Sequence, residues 1–251
     1  MSEFRAELHI HSCLSPCADD DMTPANIAGM ALLAGADVAA LTDHNSTDNC
    51  PAFFAACEMY GVVPVGGMEL TTAEEIHLVC LFATLEAAMA FGAAVRGHRM
   101  RVPNRPAFFG NQILMDAEDR VCGEEPFLLP PATDLSLEEA AALVQMHGGA
   151  AYPAHVERPS GGVLAILGGM PASPRFRAAE VRDAALLESL GNRPDMAGLR
   201  LLTASDAHQL HAVGDAMTVL DLPGVDGNDD SRTHARARRI RAALVELLRQ
   251  P

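Results

Sequence analysis

Residues 5–95 alternate short apolar runs with amphipathic ones, and this rhythm restricts the chain to a β/α layout. Arg5 to His11 reads as a strand, Pro24 to Ala34 as a helix with Thr23 before its leading proline, and Asp37 to Leu41 as a short buried strand. Pro51 to Tyr60 reads as a helix preceded by Asp48 or Asn49. Val62 to Glu69 and Ile76 to Phe82 read as strands, and Leu85 to Val95 as a helix. A βαβα order predicts a parallel sheet with right-handed crossovers. Residues 96–135 break the pattern with five prolines and a basic cluster, Arg96, His98, Arg99, Arg101 and Arg105. They read as an insertion with a hairpin around Ile113 to Val121.

The rhythm then resumes. Leu137 to Met146 is a helix capped by Ser136, with Glu138 and Glu139 in its first turn, and it stops at His147-Gly148-Gly149. Ala150 to Ala154, Ala178 to Val181 and Leu199 to Ala204 are short strands, and Thr233 to Leu248 is an arginine-rich helix. The economical organisation is one barrel-type domain over residues 1–251, with an insertion at about 96–135.

The informative polar residues fall where strands end. His9 and His11 are two apart, so both imidazoles share a face while Leu8 and Ile10 take the other. Two imidazoles aimed into one pocket repel if protonated and cannot satisfy each other if neutral; a shared cation removes the conflict. Asp43-His44, Glu69, His77, His155 and Asp206-Ala207-His208 stand at or near the ends of later strands. In a parallel α/β barrel the active site lies at the carboxyl ends of the strands. Mixed nitrogen and oxygen donors suit zinc, manganese or iron and are too imidazole-rich for magnesium or calcium.

Taken in order, His9-Ile10-His11-Ser12, Leu41-Thr42-Asp43-His44, Gly67-Met68-Glu69, Glu75-Ile76-His77, Pro153-Ala154-His155 and Ser205-Asp206-Ala207-His208 resemble the successive motifs of the PHP family, the polymerase and histidinol phosphatase superfamily. The resemblance covers nearly the whole chain. It implies a distorted (β/α)7 barrel with two or three divalent transition metals. His9, His11, Glu69 and Asp206 would hold one ion, Glu69 would bridge to a second held by His77 and His155, and His44 and His208 would hold a third. Family members often complete the third site with a His or Asp shortly after the first motif. In Ser15-Pro16-Cys17-Ala18-Asp19-Asp20-Asp21 both Asp19 and Cys17 qualify; a thiolate would favour zinc, whereas the carboxylate of Asp19 tolerates several metals.

Arg158, three residues beyond His155, is suited to grip a phosphate bidentately. Asp43 neighbours His44 and should point away from it, as a supporting residue. His147 should cap a helix, His211 suits either a supporting or a core position, and His234 with the C-terminal arginines a solvated helix face. Cys13, Cys50, Cys57, Cys80 and Cys122 read as packing residues, since none has an obvious adjacent base.

Composition sets the outer limits. The formal charge of −15 argues against long nucleic acid and leaves a small anionic phosphorylated substrate compatible, because bound metal offsets charge locally. No apolar run is long enough to span a membrane. No basic region followed by an apolar stretch marks a signal peptide in Met1-Ser2-Glu3-Phe4-Arg5, and the six cysteines lack paired spacing. A cytoplasmic protein with free thiols is expected. All basic residues are arginine, which excludes a Walker-type lysine, a Schiff base and a lysine carbamate.

The expected reaction is hydrolysis of a phosphomonoester or phosphodiester, nucleotide or histidinol-phosphate-like substrates among them, by a metal-activated hydroxide, with Asp206 and Arg158 as catalytic residues. Two alternatives are an amidohydrolase-type deaminase or amidase, whose carbamate-bridged form the absence of lysine removes, and a non-catalytic polymerase-associated module, against which the complete ligand set argues.

Overall fold

The computed structural model describes residues 3–225 and 234–249. Its elements run β1 (Glu3–Glu7), α1 (Pro24–Leu33), β2 (Val38–Leu41), α2 (Cys50–Tyr60), β3 (Val63–Thr71), β4 (His77–Phe82), α3 (Leu85–Val95), α4 (Pro106–Phe109), β5 (Ile113–Met115), β6 (Val121–Glu124), α5 (Leu137–Met146), β7 (Ala150–Pro153), α6 (Val163–Leu167), β8 (Ala178–Glu180), α7 (Leu187–Gly191), β9 (Arg200–Leu202), β10 (Thr218–Asp221) and α8 (His234–Leu248). Met1, Ser2 and Thr233, which the sequence reading used, lie outside the described residues.

Local chemistry explains the helix starts. Thr23 and Thr84 accept from the backbone N–H groups of Asn26 and Ala87, and Ser136 with Glu139 forms a reciprocal capping box. Asn49 precedes α2 without capping it. Its amide instead donates to Ser12 Oγ and the Ile113 carbonyl, both at 3.0 Å, and accepts from Met115 N at 2.9 Å. A residue typical of helix caps is thus diverted to tie the β5–β6 hairpin to the loop after His11.

The fold is mixed α/β. A curled six-stranded sheet has the order β10-β1-β2-β3-β4-β7, and β8 and β9 form a parallel pair beside β7. The expectation of a parallel sheet is only partly met. β1, β2 and β3 are parallel, but β4 is antiparallel to β3 and to β7, and β10 is antiparallel to β1. The five residues between β3 and β4 are too few for a crossover helix and allow only a reversal. β10 was not anticipated from the sequence.

All nine residues of β3 are buried. At Gly67 any Cβ would stand 2.6 Å from the Cys80 carbonyl, so glycine is what lets β4 approach this closely. One apolar cluster lies between the sheet and α8, a second gathers α3, α5 and α6, and a third holds α1 and α2.

Beyond the strand ends the backbones remain linked. His11 N donates to the Ala207 carbonyl, Thr42 N to that of Ile10, Glu69 N to those of Thr42 and Asp43, Ala154 N to that of His77, and Val156 N to that of Glu180. This rim joins every motif segment and fixes where their side chains meet. No helix among the described residues is long and apolar enough to cross a membrane.

Candidate metal centre

β1 ends at Glu7, so His9 and His11 sit just past it rather than within a strand as expected. Their rings still converge, with the two Nε2 atoms 3.1 Å apart. The tautomers follow from the partners behind them. His9 Nδ1 lies 2.9 and 3.1 Å from the two oxygens of Glu180, a carboxylate that only accepts, so Nδ1 carries the proton. Behind His11, the Ser15 hydroxyl donates its single proton to Asp43 at 2.7 Å. It must therefore accept from His11 Nδ1, 2.9 Å away. Asp43 is held in turn by the Ser12 hydroxyl and backbone N–H at 2.6 and 2.7 Å. Both imidazoles are thereby set to present a lone pair on Nε2 to the same point.

Glu69 stands at the middle of the cluster. His77 Nδ1 and His155 Nε2 lie 2.8 and 2.9 Å from its Oε1, while His44 Nδ1 and His11 Nε2 lie 2.9 and 3.3 Å from its Oε2. Asp206 Oδ1 is 3.4 Å from His9 Nε2 and 3.3 Å from His11 Nε2. His208 donates from Nδ1 to the Asp206 carbonyl at 2.8 Å, which again turns Nε2 inward. His77 arrives by a route the parallel layout did not anticipate: it is the first residue of the reversed strand β4, so the hairpin returns it to the same edge. Gly161, at φ +75°, packs against its ring, where any Cβ would come within 2.9 Å of the imidazole.

Electrostatics favour a cation here. Burial lowers the His44 imidazolium to about 4 and that of His208 to about 3. At His9 burial acts in the same sense, but Glu180, Asp206 and Glu69 outweigh it and hold the group well above its usual range. Against the same burial, Asp206 with Glu69 raises His11 to about 9, so without metal the Nε2 atoms carry protons that an incoming ion would displace. Burial pushes the Glu69 carboxyl up, yet His77, His9 and His44 bring it well below normal; Asp206 is likewise lowered against burial by His9 and His11. Two ionised carboxylates therefore face a ring of imidazoles. His44 Nδ1 and Asp206 Oδ1 are buried without a hydrogen-bond partner, since His44 meets Glu69 in poor hydrogen-bonding geometry. Three groupings place their donor atoms within 4.8 Å of one another: His9, His11 and Asp206; His11, His44 and His208; and His44, Glu69 and His77. The orphaned atoms and the facing lone pairs fit divalent metal.

Other expected residues divide. Arg158 joins the cluster, with Nη1 2.8 Å from Asp206 Oδ2 and its side chain half exposed at the rim. Asp19 and Cys17 are exposed and belong to none of the three groupings, although Asp19 N donates to the His208 carbonyl. His147 is the C-cap of α5. His211 is exposed, which rules out a core position. Cys13, Cys50, Cys57 and Cys80 are buried as packing residues; Cys122 is exposed, because its short strand β6 lies at the surface. All six thiols are free.

Sequence reasoning passed over Glu180 and Ser15. Glu180 had a signal, being a carboxylate at the carboxyl end of an otherwise apolar strand, as the other site residues are. Ser15 had none, since a loop serine is ordinary.

Residues 7–101 match the PHP domain family model, a span that contains the motifs from His9 to His77 and stops short of His155, Asp206 and His208. No curated protein matches the chain. Among solved structures, the lesion-specific endonuclease Q from Pyrococcus furiosus aligns over 97% of this chain with a TM-score of 0.65 and 17% identity. A complex of endonuclease Q with a 27-mer duplex, its abasic lesion at the active site, gives a TM-score of 0.67 with 17% identity over 92% of this chain. The chain spans 56% of the length of both. A protein from Bifidobacterium adolescentis assigned as a metal-dependent phosphoesterase has a TM-score of 0.54 at 18% identity, and an amidohydrolase from Chromobacterium violaceum with bound sulfate has 0.57 at 21%. Each of these two aligns over 94% of this chain and 96% of its own. The expectation against long nucleic acid gains no support, since the fold is shared with an enzyme seen on duplex DNA.

Proposed function

With a PHP domain matched over residues 7–101 as the premise, we propose that this chain is a metal-dependent hydrolase of phosphate esters, built as one distorted (β/α)7 barrel with residues 96–135 inserted at its catalytic edge. The observation that carries the reading is the pair His9 and His11, whose Nε2 atoms face each other across 3.1 Å between the carboxylates of Glu69 and Asp206. His9, His11, Glu69 and Asp206 would hold one divalent ion, Glu69 with His77 and His155 a second, and His44 with His208 a third, in which Asp19 or Cys17 takes part if its loop turns inward. Zinc, manganese and iron suit the donor set. When bound, such ions supply Lewis acidity to a phosphoryl oxygen and make water nucleophilic at neutral pH.

The protein's own contribution is orientation and charge. Glu69 spans the donors and keeps their spacing. Asp206, buried and ionised behind Arg158, or the partner of a ligand histidine, would relay the proton released as water attacks. Arg158 reaches out of the cluster from Asp206, where its planar fork matches two phosphoryl oxygens. The substrate is a phosphomonoester or phosphodiester; the net charge does not separate a small ester from a nucleic-acid backbone once the ions are counted. A deaminase or amidase reading has the fold of the Chromobacterium violaceum amidohydrolase in its favour.

The test is a release assay on the zinc- and manganese-loaded protein. Its substrates are p-nitrophenyl phosphate, bis(p-nitrophenyl) phosphate, a panel of phosphorylated metabolites and an abasic duplex, with phosphate, strand cleavage and ammonia all measured. Hydrolysis of any phosphate ester that is lost in Asp206→Ala supports the reading. Ammonia release from amides with every ester inert overturns it.

A further inference from the structure

Glu180, the last residue of β8, is fully buried beside the cluster, and the ligand assignment leaves it without a role. Its Oε1 accepts from two groups on two different segments: the ring of His9 at 2.9 Å and the backbone N–H of His155 at 3.2 Å. Its own carbonyl receives Val156 N at 2.9 Å, so β8 and the segment after β7 are locked together at this point. His9 and His155 belong to different ions on the reading above.

We infer that Glu180 is the positioning residue of the centre: its carboxylate holds His9 as the Nδ1–H tautomer and ties that ring to the His155 backbone, which sets the separation of two ion sites. The inference rests on the metal reading and goes beyond it in saying what fixes the ligands.

Behind His11 stands a neutral hydroxyl, Ser15, so the two facing imidazoles are held by unlike partners. A negative charge behind His9 makes its Nε2 the stronger donor of the pair, and partners of this kind shift metal affinity by about 10- to 100-fold when removed. Glu7 shows what a carboxylate with only a structural task looks like. It is equally buried, but its oxygens face the Ser205 side chain and the backbone N–H groups of Ser205 at 3.1 Å, Gly214 at 3.3 Å and His9 at 3.5 Å, and no ligand ring. Glu180 instead engages a ligand ring, and joins it to the backbone of a second ligand. An amide in its place would keep the volume and one acceptor while removing the charge.

The decisive comparison is wild type against Glu180→Gln, both loaded with Co2+. Affinity is read by chelator competition, ligand field by the visible absorption bands, and fold by circular dichroism. Retained fold, affinity lower by about 10- to 100-fold with both ions weakened, and shifted Co2+ bands support the inference. Unchanged affinity and unchanged bands overturn it. A second measurement needs no variant: 15N-edited spectra of the zinc-loaded wild type should show the His9 ring proton on Nδ1. A proton on Nε2 overturns the inference even if Glu180→Gln fails to fold. Wild-type protein that takes up no Co2+ removes the metal reading itself. Wild type that binds Co2+ beside an indifferent Glu180→Gln removes only the role of Glu180.

Discussion

Arg158 and Asp206 share one salt bridge in which each keeps something in reserve: Nη1 of the arginine lies 2.8 Å from Oδ2, while Oδ1 of the same carboxylate is buried without a hydrogen bond, facing His9 and His11. The arginine side chain is 48% exposed and the carboxylate 5%, so the guanidinium is the mobile, solvent-facing half.

If the free edge of that guanidinium takes a substrate phosphoryl group, Arg158→Ala should lose roughly 2–4 kcal/mol of transition-state binding, the range for removing a preorganised donor. That corresponds to a fall of about thirty- to a thousand-fold in kcat/KM. Arg158→Lys should recover only part, because ammonium lacks the planar fork. Steady-state kinetics on the best phosphate ester decide this. A change within about twofold in Arg158→Ala means the residue serves Asp206 alone.

His9→Ala and Asp206→Ala are expected to abolish turnover while circular dichroism stays native, because neither side chain belongs to the apolar clusters. Elemental analysis after growth in metal-replete medium should find at least about one transition metal per wild-type chain and less in both variants. Treatment with a chelator should lower the melting temperature, and added zinc should restore it, since an ion bound only to the folded state stabilises it. A wild-type protein that is metal-free and indifferent to chelator would end the assignment.

Ser15 and Asp43 act on His11 from behind. Removing the hydroxyl in Ser15→Ala frees the ring to choose its tautomer and leaves Asp43 short of one donor. A loss of about 10-fold or more in metal affinity is expected, with activity largely regained at saturating metal. Activity that stays low at saturating zinc would place Ser15 in the chemistry itself.

Arg193 forks onto Asp195 with two contacts at 2.9 Å, and Met170 N adds a third at 3.0 Å. Arg193 first, and then the Met170 amide, hold the Asp195 carboxyl down at about 2. The folded value lies below the unfolded one of about 3.9, so the stabilisation is present above about pH 4 and disappears as pH falls through about 2. Solvent screens a pair this exposed, so roughly 1 kcal/mol is the upper bound. Urea midpoints of wild type and Asp195→Asn should differ at neutral pH and converge in acid. A constant offset would mean that shape, not charge, matters at this site.

Much of this was legible in the residues. α3 and α5 have the bounds read for them, because Thr84 and Ser136 cap where their spacing says they should. The ligand roster was legible because imidazole and carboxylate at successive strand ends have few other uses. Strand direction was not. β4 carries the same apolar run whichever way it points, and only the shortness of the 72–76 turn hints at reversal. β10, with Val219 exposed and Leu220 buried, is too brief for its alternation to stand out. Glu180 and Ser15 escaped because their meaning lies in partners 171 and 4 residues away, a relation that strand periodicity does not encode.

His155 and Asp206 occupy the left-handed region at φ +25° and +49°. A residue with a Cβ pays about 1–2 kcal/mol to stand there, whereas glycine stands there freely. At both positions the residue the backbone alone favours is one that cannot hold metal: glycine should melt above alanine in a metal-free background. Without metal, local backbone stability and function therefore pull in opposite directions at these two positions, and it is bound metal that makes the functional residues the sturdier choice.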